Sequence, residues 1–92
     1  MIAPLVSVCI CTYNRCESLD RTLTTLEQQT EDAWHDAELL IIDNNCSDAT
    51  AAVAESHGDR LPLRRISETK QGLSHARNRA LAEARGQWVL FT

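Results

Sequence analysis

Polar side chains that suit a planar, charged ligand follow two apolar segments of this sequence. Residues 5–11 (LVSVCIC) lead into residues 12–15 (TYNR), and residues 37–42 (AELLII) lead into residues 43–45 (DNN). A tyrosine ring can stack on a nucleic base, while a carboxylate or an amide can hydrogen-bond the edge of a base or a ribose hydroxyl. These residue types indicate nucleotide recognition, although a polar residue at the end of a strand is more often part of a turn.

An arginine in a helical segment adds a cation to this chemistry. Arg77 lies after Gly72, in a stretch where Leu73, Ala76 and Ala80 recur with helical spacing. A guanidinium group can bind phosphate oxygens through two parallel hydrogen bonds. A mid-helix arginine is usually a solvated surface charge, so Arg77 becomes informative only together with the two polar segments.

The apolar pattern predicts the elements that must position these residues. Four apolar segments predicted as strands cover residues 5–11, 37–43, 63–66 and 87–91. Helical segments separate them, the first up to about Gln29, the second between Ser47 or Asp48 and Gly58, and the third between Gly72 and Gly86. A polar connector at residues 30–36 follows the first helix.

This alternation predicts an α/β fold, a Rossmann-like parallel sheet (βαβαβαβ) with helices on both faces. Ligands of such sheets bind beyond the carboxyl ends of the strands, where the strand order reverses. Residues 12–15 and 43–45 follow carboxyl ends, so we expect both segments at the binding edge.

Composition and missing motifs exclude several function classes. The 92 residues are 43% apolar and 24% charged, which is typical of one small globular domain. The net charge of −4 argues against a general nucleic-acid binder. No G-x-G-x-x-G follows the first strand and no G-K-[ST] occurs, so neither a dinucleotide fingerprint nor a phosphate loop is present.

The cysteines and the apolar runs indicate the cellular environment. Cysteines at positions 9, 11, 16 and 46 form no C-x-x-C pair, and a zinc site would require Cys16 and Cys46 to meet in space. We therefore expect free thiols. The apolar runs are too short to cross a bilayer, and the N-terminus has no signal-peptide pattern, so we expect a cytoplasmic protein.

Three motifs occur in a fixed order, namely VSVCICTYNR, LLIIDNNCSDAT and KQGLSHARNRALAEARGQWVLFT. Together they closely resemble the N-terminal, nucleotide-binding half of family 2 glycosyltransferases, which have the GT-A fold. The resemblance extends from about Leu5 to Thr92. It implies that residues 1–92 form a partial GT-A domain with strand order 3-2-1-4. It also implies the donor-recognition half of an inverting enzyme that uses a nucleotide sugar.

The resemblance also implies which residues bind the nucleotide. They are Cys11, Thr12, Tyr13, Arg15, Asp43, Asn44, Arg77 and Asn78. Tyr13 would stack on the base, Asn44 would bond the base edge, and Arg77 would approach the nucleotide. Cys11 stands where the family usually has proline, and Asn44 where an acid is common. The nucleotide therefore stays open among UDP-, GDP- and dTDP-linked sugars.

In this family a strand like residues 88–92 runs into an Asp-x-Asp element that holds Mg²⁺ or Mn²⁺ on the diphosphate. The 92 residues contain no Asp-x-Asp. We therefore expect the metal to be bound by the full-length enzyme and not by this chain, and the 92-residue chain to be inactive, with no catalytic residue of its own. A stand-alone nucleotide-binding or interaction module without catalysis is the alternative.

The fourth strand predicts self-association. Residues 88–91 (WVLF) carry no proline or charge, and strand order 3-2-1-4 leaves them at the edge of the sheet. Exposed apolar edges recruit a further chain. We expect a homo-oligomer formed through this strand.

Overall fold

The computed structural model describes residues 4–29 and 34–92, so the predicted connector at residues 30–36 lies partly outside the described residues. Four strands form one sheet, all parallel, in the order β3-β2-β1-β4. The strands are β1 (Val6–Thr12), β2 (Ala37–Asn44), β3 (Leu63–Glu68) and β4 (Trp88–Phe91). The predicted parallel α/β sheet and its strand order are confirmed.

Three helices cover the two faces of this sheet: α1 (Cys16–Glu27), α2 (Thr50–Ser56) and α3 (Leu73–Glu83). Successive residues of a strand point to opposite faces, so each inner strand supplies two separate cores. Ile10, Leu39 and Ile41 pack with residues of α1 and α2 in one apolar cluster. Cys9, Leu40, Ile42 and Ile66 pack with Ala76 and Ala80 of α3 in the other.

The element boundaries differ slightly from the predicted ones. Helix α1 ends at Glu27, and β3 continues to Glu68. Helix α2 has Ala49 at its N-cap, so the predicted capping by Ser47 or Asp48 is displaced by one residue. Asp48 still contributes, because its Oδ1 accepts the backbone N–H of Thr50 at 3.1 Å and the Thr50 hydroxyl at 2.5 Å.

A buried polar network joins the turn between α3 and β4 to the amino ends of β1 and β2. Glu38 accepts hydrogen bonds from the Ser7 hydroxyl at 2.6 Å and from the Arg85 backbone N–H at 2.7 Å. Ser7 Oγ in turn accepts the Gly86 N–H at 2.8 Å. A Cβ at Gly86 would lie 2.7 Å from the Ser7 nitrogen, so only glycine permits this close approach.

The side chains of β4 alternate between the two faces. Val89 and Phe91 are partly buried against the cluster beneath α3. Trp88 and Leu90 are 68% and 58% exposed. Strand β4 therefore lies at the edge of the sheet as predicted, and of its four side chains the two that point away from α3 are open.

Candidate functional site at the carboxyl edge of the sheet

Four of the predicted site residues lie at the carboxyl ends of β1 and β2. Thr12 is directly paired with Asp43 in the parallel register, and Cys11 with Ile42. Because side chains alternate, Thr12 and Asp43 share the face covered by α1 and α2, together with Ile10 and Ile41. Cys11 and Asn44 share the face covered by α3.

Two asparagines give the loops beyond these strands their sharp turns. Asn14, between β1 and α1, has φ of 49°, and Asn45, between β2 and α2, has φ of 60°. Asparagine tolerates this left-handed conformation better than most residues. The turn at Asn14 follows Tyr13, whose side chain is 43% exposed. The aromatic ring predicted to stack on a base is thus open to solvent beside the sheet edge.

Side-chain hydrogen bonds join the two loops. Asn14 Oδ1 accepts the Ser47 N–H at 2.8 Å. The Cys46 thiol lies 3.3 Å from both the Asn14 nitrogen, whose N–H it accepts, and the Thr12 carbonyl, to which it donates. Asp48 Oδ2 accepts the Cys16 N–H at 3.1 Å. These contacts hold the backbone on both sides of Tyr13, so the ring is presented from a supported loop.

The Asp43 carboxylate is largely committed to protein groups. Its Oδ1 accepts the Cys46 N–H at 3.1 Å, which closes the turn after β2. Its Oδ2 accepts a hydrogen bond from Arg65 of β3 at 2.9 Å. Asp43 is only 7% exposed. A nucleotide contact by Asp43 stays a prediction, and it would use lone pairs that these two partners leave free.

The Asn44 side chain is also committed, but on the opposite face. Its Nδ2 donates to the carbonyls of Glu68 at 3.2 Å and Lys70 at 2.8 Å, and its Oδ1 accepts the Gly72 N–H at 2.9 Å. Both amide hydrogens are therefore used within the protein, and the residue is 4% exposed. A contact with the base edge stays a prediction, restricted to the remaining lone pair of Oδ1.

Arg77 reaches the same edge from α3. Its Cζ lies 5.6 Å from the centre of the Phe91 ring, at the carboxyl end of β4. Burial raises the pKa of the Cys11 thiol, and the nearby positive charge of Arg77 partly opposes this rise. Arg77 is exposed. The guanidinium thus lies beside the ends of β1 and β4.

Arg77 and Arg15 lack an acidic partner among the described residues. No carboxylate of the described residues pairs with either of them, whereas the guanidinium groups of four other arginines are paired: Arg60, Arg64, Arg65 and Arg79. Arg21 and Arg85 also have no such partner among the residues described, so an unpaired charge alone does not define a site. Position at the carboxyl edge separates Arg15 and Arg77 from Arg85, whereas Arg21 lines one concavity of this edge together with Arg15.

Asn78 lies on the face of α3 that points away from the sheet. Ala76 and Ala80 are the residues of α3 that are buried against the sheet. At 3.6 residues per turn, Asn78 lies about 180° around the helix from the middle of that buried face. It is exposed there. Its contact with the nucleotide stays a prediction.

Arg15 lines two shallow concavities on the α1 side of the edge. One, of about 320 Å³, is also lined by Cys11, Thr12 and Thr92. The second, of about 340 Å³, is also lined by Asn14 and Asp48. A cationic side chain between two concavities at a strand end suits the binding of an anionic ligand.

Within residues 4–29 and 34–92, no group of three or more His, Cys, Asp and Glu side chains could hold a metal ion. These residues therefore do not fit the divalent cation that the family resemblance implies, and the four cysteines are free. No helix of the described part of the chain is both long and apolar enough to cross a bilayer.

Several residues that organise the site have no signal in the sequence. Cys46 and Arg65 act through partners that lie 34 and 22 positions away along the chain. Asn14 carried a partial signal, because asparagine after an apolar strand is typical of a turn. Its bond to Ser47 depends on the parallel pairing of β1 with β2, which brings the two loops together.

The model of the family "Glycosyl transferase family 2" matches residues 7–92. The chain belongs to this family. Among its relatives are a cholesterol galactosyltransferase of Borreliella burgdorferi, 33% identical over 87 residues, and a validoxylamine A glucosyltransferase of Streptomyces hygroscopicus subsp. jinggangensis, 43% identical over 77 residues. The matches cover 94% and 82% of this chain but 24% and 18% of those proteins. The chain thus spans a quarter or less of these two relatives.

Solved structures with bound donors have the same fold. S. aureus TarS in complex with UDP-GlcNAc superposes with a TM-score of 0.80 at 28% identity, over 96% of this chain and 26% of that one. The mannosyltransferase PcManGT from Pyrobaculum calidifontis, in complex with GDP-Man and Mn²⁺, superposes with a TM-score of 0.73 at 28% identity, over 91% of this chain and 25% of that one. The family 2 chain therefore has the GT-A, Rossmann-like arrangement of these enzymes.

Proposed function

We propose that residues 1–92 form a partial GT-A domain, the nucleotide-binding half of an inverting glycosyltransferase that uses a nucleotide sugar. One observation carries this proposal. Arg15 lines a concavity with Cys11 and Thr12 at the carboxyl end of β1, and the positive charge of Arg77 acts on the Cys11 thiol at the same strand end. The exposed Tyr13 directly follows this strand. An aromatic face next to cations suits a base joined to a diphosphate.

The described residues do not single out one base. Both amide hydrogens of Asn44 are used within the protein and the residue is buried, so its carboxamide gives no choice among the bases. UDP-, GDP- and dTDP-linked sugars are the proposed donors. The bound UDP-GlcNAc and GDP-Man of the two structural neighbours support this range.

Sugar transfer requires more than these residues provide. The 92 residues contain no Asp-x-Asp, and a divalent cation such as Mg²⁺ or Mn²⁺ would serve to neutralise charge on the leaving diphosphate. We propose that the 92-residue chain binds a nucleotide without transferring sugar, and that the metal belongs to the full-length enzyme. Sugar transfer by the purified chain in the presence of Mn²⁺ would contradict this part of the proposal.

The binding proposal is tested by titrating the ¹⁵N-labelled chain with nucleotides and following its NMR spectrum. We expect dissociation constants on the order of millimolar, about −4 kcal/mol, for UDP, GDP or dTDP, and weaker binding of ADP. Tyr13→Ala should lose roughly 1–3 kcal/mol because stacking on the base is removed. The loss should be similar for a nucleoside and its diphosphate.

Arg77→Gln tests the phosphate contact, with Arg85→Gln as the matched control. Arg85 also lacks an acidic partner among the described residues, but it lies in the turn that leads to the amino end of β4, at the opposite edge of the sheet. Arg77→Gln should weaken UDP more than uridine, and Arg85→Gln should change neither. Equal losses for UDP and uridine, or equal effects of the two variants, would refute the phosphate role.

We also propose that the 92-residue chain forms a homo-oligomer through β4. Trp88 and Leu90 expose most of their surface on the outermost strand of the sheet, which has an unpaired edge in the described structure. Pairing of this edge with a second copy would satisfy backbone groups and cover both side chains. A nucleotide-binding or interaction module without catalysis remains the alternative function, and the activity of the full-length protein decides between the two.

A further inference from the structure

We propose that Asn44 acts on the donor nucleotide indirectly, as a positioning residue that fixes the start of α3 and so the place of Arg77. This inference rests on the proposed nucleotide-binding function. It differs from the role implied by the family resemblance, in which Asn44 itself bonds the base edge. The carboxamide of Asn44 makes three hydrogen bonds, and all of them go to the backbone of residues 68–72.

The bond to Gly72 connects Asn44 directly to the helix. Gly72 is the N-cap of α3, and its carbonyl accepts the first helical N–H, from Ala76, at 3.0 Å. Its φ of 136° is a conformation that other residues rarely adopt, so the chain depends on glycine here. Asn44 Oδ1 holds the Gly72 N–H at 2.9 Å. The amide of Asn44 therefore fixes the point and direction at which α3 begins.

Arg77 lies five residues after Gly72, which corresponds to about 7.5 Å along the helix axis. A change in the start of α3 is carried to Arg77 because a helix moves as a rigid element. Residues 68–72 have further support, since Glu68 Oε2 accepts the Lys70 N–H within the loop and Glu68 Oε1 lies 3.7 Å from Arg79 Nη1 of α3. Beyond the pairing of Glu68 with β2, Asn44 is the β2 side chain that bonds the backbone of this loop, and it is almost completely buried.

The first arm of the test measures the free protein. Asn44→Asp keeps the size of the side chain and an oxygen for the Gly72 N–H, but it removes both donors to the carbonyls of Glu68 and Lys70. Gln71→Glu is the matched control, because Gln71 lies exposed in the same loop. We expect the amide hydrogen of Gly72 to exchange at least tenfold faster in Asn44→Asp and at the wild-type rate in Gln71→Glu. An unchanged rate in Asn44→Asp would overturn the proposed fixing of α3.

The second arm measures nucleotide affinity. If Asn44 acts through Arg77, Asn44→Asp should weaken UDP about tenfold and uridine less than twofold, and it should add nothing in an Arg77→Gln background. A direct contact with the base predicts equal changes for UDP and uridine, because both carry the same base. Equal losses for UDP and uridine, or tighter UDP binding with the acid, would overturn the proposal. If the wild-type chain binds no nucleotide, the proposed function fails and this role of Asn44 fails with it, while the exchange rates still decide whether Asn44 fixes the loop.

Discussion

Replacement of Glu38 by glutamine should destabilise the fold by breaking the network that anchors the α3–β4 turn. Glu38 Oε2 accepts from both Ser7 and Arg85, whereas Oε1 accepts from the Arg64 guanidinium at 3.2 Å. The less costly orientation of the new amide keeps the oxygen facing Ser7 and Arg85. Its –NH₂ group then faces the guanidinium of Arg64, so that one charge-assisted hydrogen bond is lost.

A hydrogen bond to a charged group contributes roughly 1.5–3 kcal/mol. Arg64 retains a bond to the Glu83 carbonyl at 2.8 Å, so the lower part of this range applies. We expect Glu38→Gln to lower the free energy of unfolding by about 2 kcal/mol. Glu38→Ala removes the acceptor of all three donors, and breaking a buried pair in this way costs about 3–5 kcal/mol. Both losses are large fractions of the free energy of unfolding of a typical domain, which is roughly 5–15 kcal/mol.

Urea unfolding followed by circular dichroism measures these losses, with Glu55→Gln as control. Glu55 lies exposed on α2, and its side chain makes no hydrogen bond among the described residues. With a slope of about 1–2 kcal/mol per molar urea, the midpoint of Glu38→Gln should fall by about 1–2 M. A midpoint that matches the Glu55→Gln control would refute the reasoning.

The difference in the free energy of unfolding between wild type and Glu38→Gln should depend on pH. Burial alone would raise the pKa of Glu38, but the hydrogen bonds from Ser7 and Arg85 and the charge of Arg64 outweigh it and lower that pKa below its ordinary 4.5. The carboxylate therefore stabilises the fold fully above pH 4.5, and this stabilisation is lost as the pH falls through the lowered pKa. The gap between wild type and Glu38→Gln should close in acid. A gap that persists there would contradict the role assigned to the charge.

Two further predictions concern a buried histidine and the outer strand. Burial lowers the pKa of His57, but its hydrogen bonds to two α1 carboxylates outweigh burial and raise that pKa above 6.5. The stabilisation of the fold by charged His57 is therefore complete below pH 6.5 and is lost as the pH rises through the raised pKa. The free energy of unfolding of His57→Gln should therefore fall furthest below that of wild type in acid, with the exposed His35→Gln as control. A difference that stays constant with pH would contradict this role of His57. Sedimentation equilibrium should show an oligomer that Leu90→Lys shifts toward monomer, whereas Val89→Lys would disrupt the core beneath α3. A wild-type chain that sediments as a monomer would refute self-association through β4.

The sheet was predictable from the sequence, and much of the site was not. Runs such as residues 39–42 are apolar at every position because both faces of a parallel strand are covered, and this pattern is visible in the sequence. The partners of Asn44 lie 24 to 28 positions away, and nothing local indicates them. Asn78 shows a different limit. Its place in a motif suggested a contact, although the spacing of Ala76 and Ala80 already directs it away from the sheet.

The polar tip of β2 has a structural cause that does not require a ligand. The end of β2 lies next to two loops, its own connection to α2 and the connection from β3 to α3. Backbone groups of these loops have no partner in the sheet, and an unsatisfied buried N–H costs about 1–3 kcal/mol. Asp43 points to the α1 and α2 face and takes the N–H of Cys46, while Asn44 points to the α3 face and takes that of Gly72. The alternation of a strand thus lets consecutive polar residues serve loops on opposite faces. These hydrogen bonds leave Asp43 and Asn44 few free groups for a nucleotide. We therefore expect recognition to depend mainly on the Tyr13 ring and on the guanidinium groups of Arg15 and Arg77.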